Sequence, residues 1–125
     1  MDKENVKILI CDDSILARKS MNNLLSSMGY NKVIEASNGQ QCVDLCKSEN
    51  PDLVFLDIIM PVKDGITATK EILENSPSTK VVMCSSVGTQ THLFEAIKAG
   101  AKDFIQKPVE EDTLKQVLNH LFKEG

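Results

Sequence analysis

Residues 52–57 read DLVFLD, a run of strand length that is apolar on both alternations and ends in an aspartate. Such a run is typical of a parallel strand that is covered on both faces of its sheet. Four further short runs are rich in β-branched or other apolar residues, at positions 6–11, 32–36, 80–85 and 103–106. The sequence therefore predicts five strands, with residues 52–57 in the centre of the sheet.

Segments with helical periodicity lie between the predicted strands. Two are clear, an apolar stripe from Ala17 to Met28 and another from Leu114 to Phe122. Three weaker stripes, bounded by turn or cap signals, cover residues 40–48, 65–75 and 90–99. Five strands that alternate with five helices predict an α/β fold, a doubly wound parallel sheet with its ligand site at the carboxyl ends of the strands.

Length and charge limit the class of protein. A chain of 125 residues has the size of one domain, so we expect residues 1–125 to form a single domain. Because no linker follows the fifth predicted helix, we expect a complete protein; we also expect a monomer. The net charge of −4 argues against a nucleic acid partner. No apolar run approaches the ~20 residues of a membrane span, and no signal-peptide core follows the N-terminus, so we expect a cytoplasmic protein.

The four cysteines are predicted to be packing residues. Cys11, Cys42, Cys46 and Cys84 all lie in apolar surroundings, and the chain lacks an export signal. Cys42 and Cys46 are one helical turn apart, but no nearby histidine or second cysteine pair completes a zinc site. We therefore expect reduced, buried thiols.

Polar residues stand where the predicted strands end. They are Asp12, Asp13, Asp57, Ser85 and Lys107. Since the carboxyl ends of parallel strands meet at one edge of the sheet, we expect these side chains to share a pocket. Clustered carboxylates raise one another's pKa unless a cation is present. Mg²⁺ fits this set best, because it binds one or two carboxylates and keeps positions for water and phosphoryl oxygens.

The same pocket suggests phosphoryl transfer. A metal ion, an ammonium group and a hydroxyl group can orient a phosphoryl group beside a carboxylate nucleophile. Asp57 is the predicted nucleophile because it ends the most apolar strand, and Lys107 is expected to hold the phosphoryl oxygens. Asp13 is expected to bind the metal directly, and Asp12 through a water molecule.

Four segments, in this order and spacing, resemble the receiver domain of two-component response regulators. They are CDDS, LVFLDIIMPVKDG, VVMCSS and GAKDFIQKP, and the resemblance spans essentially the whole chain. It implies a flavodoxin-like sheet with strand order 2-1-3-4-5. It also implies that Asp57 is phosphorylated by the phosphohistidine of a sensor histidine kinase, with Asp12, Asp13 and the backbone carbonyl of Ile59 at the magnesium ion.

The resemblance implies further residue roles. Lys107 would contact the phosphoryl group, and its peptide bond to Pro108 would be cis. Ser85 would move toward the phosphoryl group on activation, and Phe104 would occupy the aromatic position coupled to that movement. An alignment shifted by one residue would give the role of Ser85 to Ser86, but the spacing to Lys107 favours Ser85. Phe104 could instead be a static core residue.

The segments MCSSVGTQ and GAKDFIQKP are similar to those of stand-alone chemotaxis regulators. The resemblance therefore implies a chemotaxis kinase and the flagellar motor switch as partners. The alternatives are a relay receiver or the receiver part of a sporulation or transcription regulator. Ile59 and Val87 offer no polar side-chain atom to orient an attacking water, so we expect slow self-dephosphorylation.

Two other functions are disfavoured by particular residues. A magnesium-dependent phosphatase with an aspartyl nucleophile would place a second carboxylate two residues after Asp57, where this chain has Ile59. A flavin-binding protein would need a loop rich in hydroxyl groups and glycine after the first strand, where this chain has CDDS. We therefore expect a signalling protein that accepts phosphoryl groups, not an enzyme.

Overall fold

The computed structural model describes residues 2–86 and 90–122. In these two ranges, five parallel strands alternate with five α-helices, and all ten were predicted. The strands are β1 (Lys7–Cys11), β2 (Lys32–Ala36), β3 (Leu53–Asp57), β4 (Lys80–Ser85) and β5 (Asp103–Gln106). The helices are α1 (Ile15–Ser27), α2 (Gly39–Glu49), α3 (Gly65–Asn75), α4 (Gln90–Ala99) and α5 (Glu111–Leu121).

The strands form one sheet in the order β2-β1-β3-β4-β5, with every neighbouring pair parallel. This order confirms the doubly wound topology that the resemblance implies. β3 is central, and its first four residues are buried while Asp57 is only half-buried. The polarity change at the end of β3 therefore brings a carboxylate to the edge of the sheet on a rigid, fully packed strand.

Strand alternation divides the core into two apolar clusters, one on each face of the sheet. Leu9, Leu56 and Met83 face α2, α3 and α4. Phe55 and Ile105 are on the opposite face, which α1 and α5 cover. Burial of each fully buried Leu, Ile or Phe side chain stabilises the folded state by roughly 1.5–3 kcal/mol. Packing on both faces of the sheet therefore holds the strands, and with them their carboxyl ends, in place.

Side-chain caps fix the starts of the helices that follow β1 and β3. The Ser14 side chain accepts a hydrogen bond from the backbone N–H of Ala17 and begins α1. Asp64 accepts one from the backbone N–H of Thr67 and begins α3, as its position before Gly65 predicts. Caps of this kind satisfy backbone donors that a helix start leaves unpaired.

The prediction of reduced thiols is wrong for two of the four cysteines. Cys11 of β1 and Cys42 of α2 form a disulfide, with Cα atoms 6.1 Å apart. Cys46 and Cys84 are free and buried, as predicted. The bonded cysteines are 31 positions apart in the chain. Their contact depends on how α2 packs over β1, which residue spacing does not reveal.

The helices are short relative to a bilayer. None of those in residues 2–86 and 90–122 is long and apolar enough to cross a membrane.

Candidate metal and phosphoryl site

Three carboxylates meet where β1 and β3 end. Cys11 of β1 pairs with Leu56 of β3, so the residues that follow them reach the same edge of the sheet. Asp12, Asp13 and Asp57 each place a carboxylate oxygen within 4.8 Å of the others. Asp12 is buried, Asp57 half-buried and Asp13 exposed, so the cluster runs from the core to the surface.

The Lys107 ammonium group reaches this cluster from β5. Lys107 Nζ contacts Asp12 Oδ2 and lies 2.9 Å from Asp57 Oδ2. Its backbone N–H donates to the Ser85 carbonyl over 2.9 Å, which ties it to the end of β4. The peptide bond to Pro108 is cis, as the resemblance implies. One cation is thus held between the two less exposed carboxylates.

The charges of the site act on one another. Burial raises the pKa of the Asp57 carboxyl, and the Asp12 charge adds to that effect, while the hydrogen bond and charge of Lys107 oppose it only in part. Burial would lower the pKa of Lys107, but its hydrogen bonds to Asp12 and Asp57 outweigh burial and raise it. A further cation would therefore favour the ionised form of Asp57.

Hydrogen bonds to its backbone N–H, its backbone carbonyl and its carboxylate hold Asp12 in place. Its backbone N–H donates to the Ala36 carbonyl over 3.1 Å, and its Oδ1 accepts from the Ser14 N–H over 2.9 Å. Arg18 of α1 donates to the Asp12 carbonyl over 2.6 Å and pairs with Glu35 of β2. Sequence reasoning missed Arg18, whose only signal is its place one turn after the Ser14 cap.

A close approach of α3 to β3 fixes Asp57. The Gly65 N–H donates to the Ile58 carbonyl over 2.7 Å, and a Cβ added at Gly65 would overlap the Asp57 carbonyl oxygen. Asp57 Oδ1 in turn accepts a hydrogen bond from the Ile59 N–H over 3.2 Å. The sequence pattern places Gly65 at the start of the predicted helix over residues 65–75, and the structure shows that its lack of a side chain also lets the helix contact the backbone of Asp57.

The two residues predicted to move on activation, Ser85 and Phe104, lie on β4 and β5 and are not part of the carboxylate cluster. Ser85 is buried at the end of β4, and Phe104 is half-buried on β5, where it packs against the apolar cluster under α2, α3 and α4. Strand alternation places Ser85 on the same face as Met83 of that cluster. Val87, which the self-dephosphorylation hypothesis uses, is outside the described residues.

A cavity of about 380 Å³ extends from the acidic site into the core. Asp12, Asp57 and Lys107 line it at the site, and apolar side chains such as Met21 and Phe55 line its walls. Ser86 also lines this cavity, so the structure leaves the choice between Ser85 and Ser86 open. A pocket at the strand ends was predicted, but its extension between apolar side chains of the core was not.

The donor set has the chemistry of a hard divalent cation site. All three converging side chains offer carboxylate oxygens, the ligands that Mg²⁺ and Ca²⁺ prefer. Three carboxylates are few for Ca²⁺, which takes six to eight oxygen ligands, and suit Mg²⁺, which keeps several waters. Lys107 adds an ammonium donor next to the Asp57 carboxylate, the kind of group that holds phosphoryl oxygens.

Comparison with known proteins identifies the family. A model of the response regulator receiver domain matches residues 8–119. The chain is 44% identical over 113 residues to the chemotaxis protein CheY of Bacillus subtilis, covering 90% of this chain and 94% of that protein. It is 41% identical over 117 residues to CheY of Thermotoga maritima, covering 94% of this chain and 98% of that protein.

A solved structure gives the same result. A chain in the crystal structure of a CheX–CheY–BeF₃–Mg²⁺ complex from Borrelia burgdorferi superposes with a TM-score of 0.87 and 34% sequence identity. The match covers 94% of this chain and 90% of that one. The carboxylate cluster at the carboxyl ends of a 2-1-3-4-5 sheet and these likenesses agree: this chain belongs to the response regulator receiver domain family.

Proposed function

We propose that this protein is a phosphorylation-dependent signalling switch in chemotaxis, with Asp57 as the phosphoacceptor and residues 1–125 as a single receiver domain in the cytoplasm. The observation that carries the proposal is the contact of Asp57 with Lys107 beside two further carboxylates. A carboxylate that is rigidly held next to an ammonium group and a metal-binding cluster has what a phosphoryl acceptor needs.

Mg²⁺ is the proposed metal. Asp13 would bind it directly, Asp12 through a water molecule, and Asp57 and the Ile59 carbonyl would complete the protein ligands. The bound ion would neutralise charge on the phosphoryl oxygens. The relative from Borrelia burgdorferi supports this choice, since its crystal structure contains Mg²⁺ together with BeF₃.

The transfer step assigns a role to each side chain. A carboxylate oxygen of Asp57 attacks the phosphorus atom of a phosphohistidine on a sensor kinase. The oxygen–phosphorus bond forms as the bond from phosphorus to the imidazole nitrogen breaks, and the histidine leaves. Lys107 holds a phosphoryl oxygen, and it already lies 2.9 Å from Asp57 Oδ2. Rigid positioning of the nucleophile lowers the entropy cost of the step.

The phosphorylated site would then alter the neighbouring face. A phosphoryl group adds nearly two negative charges and new acceptor oxygens, to which the Ser85 hydroxyl would turn. Phe104 would follow that movement on β5. The α4 side chains Leu93, Phe94 and Ile97 are 41%, 67% and 50% exposed, so an apolar surface for a partner lies on this side of the molecule.

The flagellar motor switch is the proposed output partner, because relatives that match over nearly the whole chain are named chemotaxis proteins. A relay receiver is the second candidate. The chain has Ile59 where an aspartyl phosphatase would have a second carboxylate, which supports a signalling role over a phosphatase. The same apolar side chain supports slow self-dephosphorylation. Exchange of Ile59 for asparagine should shorten the lifetime of the phosphoprotein if this account of the lifetime is right.

Acetyl phosphate provides the first test. The wild-type protein, with Mg²⁺, should gain one phosphoryl group by intact mass spectrometry. Asp57→Asn should gain none, whereas Asp44→Asn, at an exposed carboxylate on α2, should behave as wild type. Rapid release of phosphate from phosphate esters, without accumulation of a stable phosphorylated form, would instead support the phosphatase.

Partner binding separates chemotaxis from relay signalling. The motor switch protein and the chemotaxis kinase of the source organism would each be titrated against protein with and without BeF₃ and Mg²⁺. Tighter binding of the motor switch protein to the BeF₃ form is expected. Equal binding of both forms would remove the motor switch from the proposal while leaving phosphorylation at Asp57 intact.

A further inference from the structure

The Cys11–Cys42 disulfide lies next to the metal-binding carboxylates. Cys11 is the last residue of β1 and is followed directly by Asp12, while Cys42 lies in the first turn of α2. The two residues are 1% and 0% exposed. The bond therefore ties the end of β1, directly before Asp12 and Asp13, to α2.

The backbone around this pair accommodates both the bonded and the reduced state. The Cα–Cα distance of 6.1 Å falls inside the range of about 4.4–6.8 Å that disulfides span. Cys11 and Cys42 also belong to one buried apolar cluster, in which two thiols would pack as small apolar side chains. Neither state requires β1 and α2 to separate.

The cavity beside the acidic site borders Cys11 of the pair. Cys11 is among the residues that line the cavity of about 380 Å³, and Asp12, Asp57 and Lys107 line the same cavity. A molecule of the size of hydrogen peroxide, close to that of water, fits easily in such a volume. The cavity thus adjoins both the acidic site and the Cys11 end of the pair.

The redox conditions of the cellular compartment determine whether a disulfide is permanent or reversible. Glutathione and thioredoxin keep cytosolic thiols reduced, and disulfides found there are usually transient and catalytic or redox-sensing. In the cytoplasm that we propose for this chain, a permanent structural bridge is therefore not expected. A disulfide that forms under oxidising conditions and opens under reducing conditions is expected instead.

We propose that Cys11 and Cys42 are a reversible redox site through which oxidant level adjusts phosphorylation of Asp57. In the forward step, two thiols and one hydroperoxide give the disulfide: the sulfurs lose two electrons and two protons, the sulfur–sulfur bond forms, and the oxygen–oxygen bond breaks. With hydrogen peroxide the product is two waters. In the reverse step a dithiol supplies two electrons and two protons and becomes a disulfide itself.

The bridge acts by restraining Asp12. With the bond formed, the end of β1 is fixed to α2, and Asp12 and Asp13 stay where the metal needs them. With the bond open, this restraint is lost and the carboxylates sample more positions. Reduction is therefore expected to weaken Mg²⁺ binding and to slow phosphorylation by about threefold to tenfold, because misplaced groups lower rates steeply. The effect on phosphorylation rests on the proposed function.

Peptide mapping tests the bond itself. The native chain would be treated with hydrogen peroxide or dithiothreitol, alkylated during denaturation, digested and analysed by mass spectrometry. The oxidised sample should contain a Cys11–Cys42 cross-linked peptide and two alkylated thiols, from Cys46 and Cys84, and dithiothreitol should convert it to four. No cross-link between Cys11 and Cys42 after peroxide treatment would overturn the proposal.

Two readouts test the effect on the site. Mg²⁺ affinity by calorimetry and the rate of phosphorylation by acetyl phosphate are compared in oxidised and reduced protein. Both should respond to redox state in wild type and in Cys46→Ser, and neither should in Cys42→Ser. A response that survives in Cys42→Ser, or no response in wild type, sinks the regulatory role. If no form is phosphorylated, the proposed function has failed, and the peptide map with the Mg²⁺ titration still decides the redox site.

Discussion

Lys107 Nζ lies 2.9 Å from Asp57 Oδ2, although the two residues are 50 positions apart in the chain. The same ammonium group contacts Asp12, so one cation joins the ends of β1, β3 and β5. The side chains of Lys107, Asp57 and Asp12 are only 22%, 13% and 8% exposed. In the absence of metal, Lys107 is thus the cation that makes two poorly solvated carboxylates tolerable at this edge of the sheet.

Lys107→Ala should destabilise the metal-free protein. Exposed ion pairs contribute ~0–1 kcal/mol and removal of one partner of a buried pair costs about 3–5, so this half-buried contact predicts a loss of about 2 kcal/mol. Mg²⁺ should recover part of that loss, because it supplies a replacement cation. Urea unfolding at neutral pH, with chelator and with Mg²⁺, measures both effects. Lys102→Ala, at an exposed lysine, is the control, and equal losses in the two variants would contradict the prediction.

Asp57→Asn should alter how stability depends on pH. Because burial raises the pKa of Asp57 above its ordinary 3.8, the folded state holds this proton more tightly than the unfolded state does. The contribution of Asp57 to stability is therefore greatest below pH 3.8 and is lost as pH rises through the raised folded-state value. Asparagine remains neutral and escapes this loss.

Urea unfolding of the variant and the wild type at several pH values measures this loss. In chelator, the free energy of unfolding of Asp57→Asn minus that of wild type should grow from pH 3.5 toward neutral pH, in favour of the variant. Mg²⁺ should reduce the difference, since it stabilises the carboxylate of wild type. Asp44→Asn should give a difference that hardly varies with pH. A difference that shrinks as pH rises would mean that the pKa of Asp57 is lowered, not raised.

The strands, the helices and their order could be predicted because they depend on local patterns. Apolar residues on both alternations indicate covered parallel strands, and DLVFLD is the strongest case. The convergence of Asp12, Asp57 and Lys107 follows from topology, since parallel strand ends share one edge. The prediction that these three side chains share a pocket needed no knowledge of side-chain packing.

Packing between distant segments could not be predicted. The hydrogen bond from Arg18 to the Asp12 carbonyl depends on the angle between α1 and β1, which a residue pattern does not contain. The disulfide depends in the same way on the position of α2 over β1, and apolar neighbours of Cys11 and Cys42 favoured free thiols. The tight contact of Gly65 with Asp57 likewise appears only when α3 is placed on β3.

Asp13→Ala should separate metal binding from folding. Asp13 is exposed, so its removal should change the free energy of unfolding in chelator by less than about 0.5 kcal/mol. Mg²⁺ affinity should fall by tenfold or more, which is about 1.4 kcal/mol or more of binding energy, if Asp13 is a direct ligand. Calorimetric titration measures the affinity, and Asp112→Ala, at an exposed carboxylate of α5, is the control. Normal Mg²⁺ affinity in Asp13→Ala would exclude it as a direct ligand.

Gly65→Ala should disturb Asp57 through the backbone. The added Cβ would overlap the Asp57 carbonyl oxygen, so α3 or the end of β3 must shift, and overpacking of this kind costs about 1–3 kcal/mol. Gly39→Ala is a matched comparison, because its Cβ would overlap the carbonyl oxygen of Lys63 instead. Both variants should lose stability in urea, but only Gly65→Ala is expected to displace Asp57, the proposed phosphoacceptor. At a temperature where both are folded, phosphorylation by acetyl phosphate should therefore be slower in Gly65→Ala than in Gly39→Ala, and equal rates would show that the contact with α3 does not position Asp57.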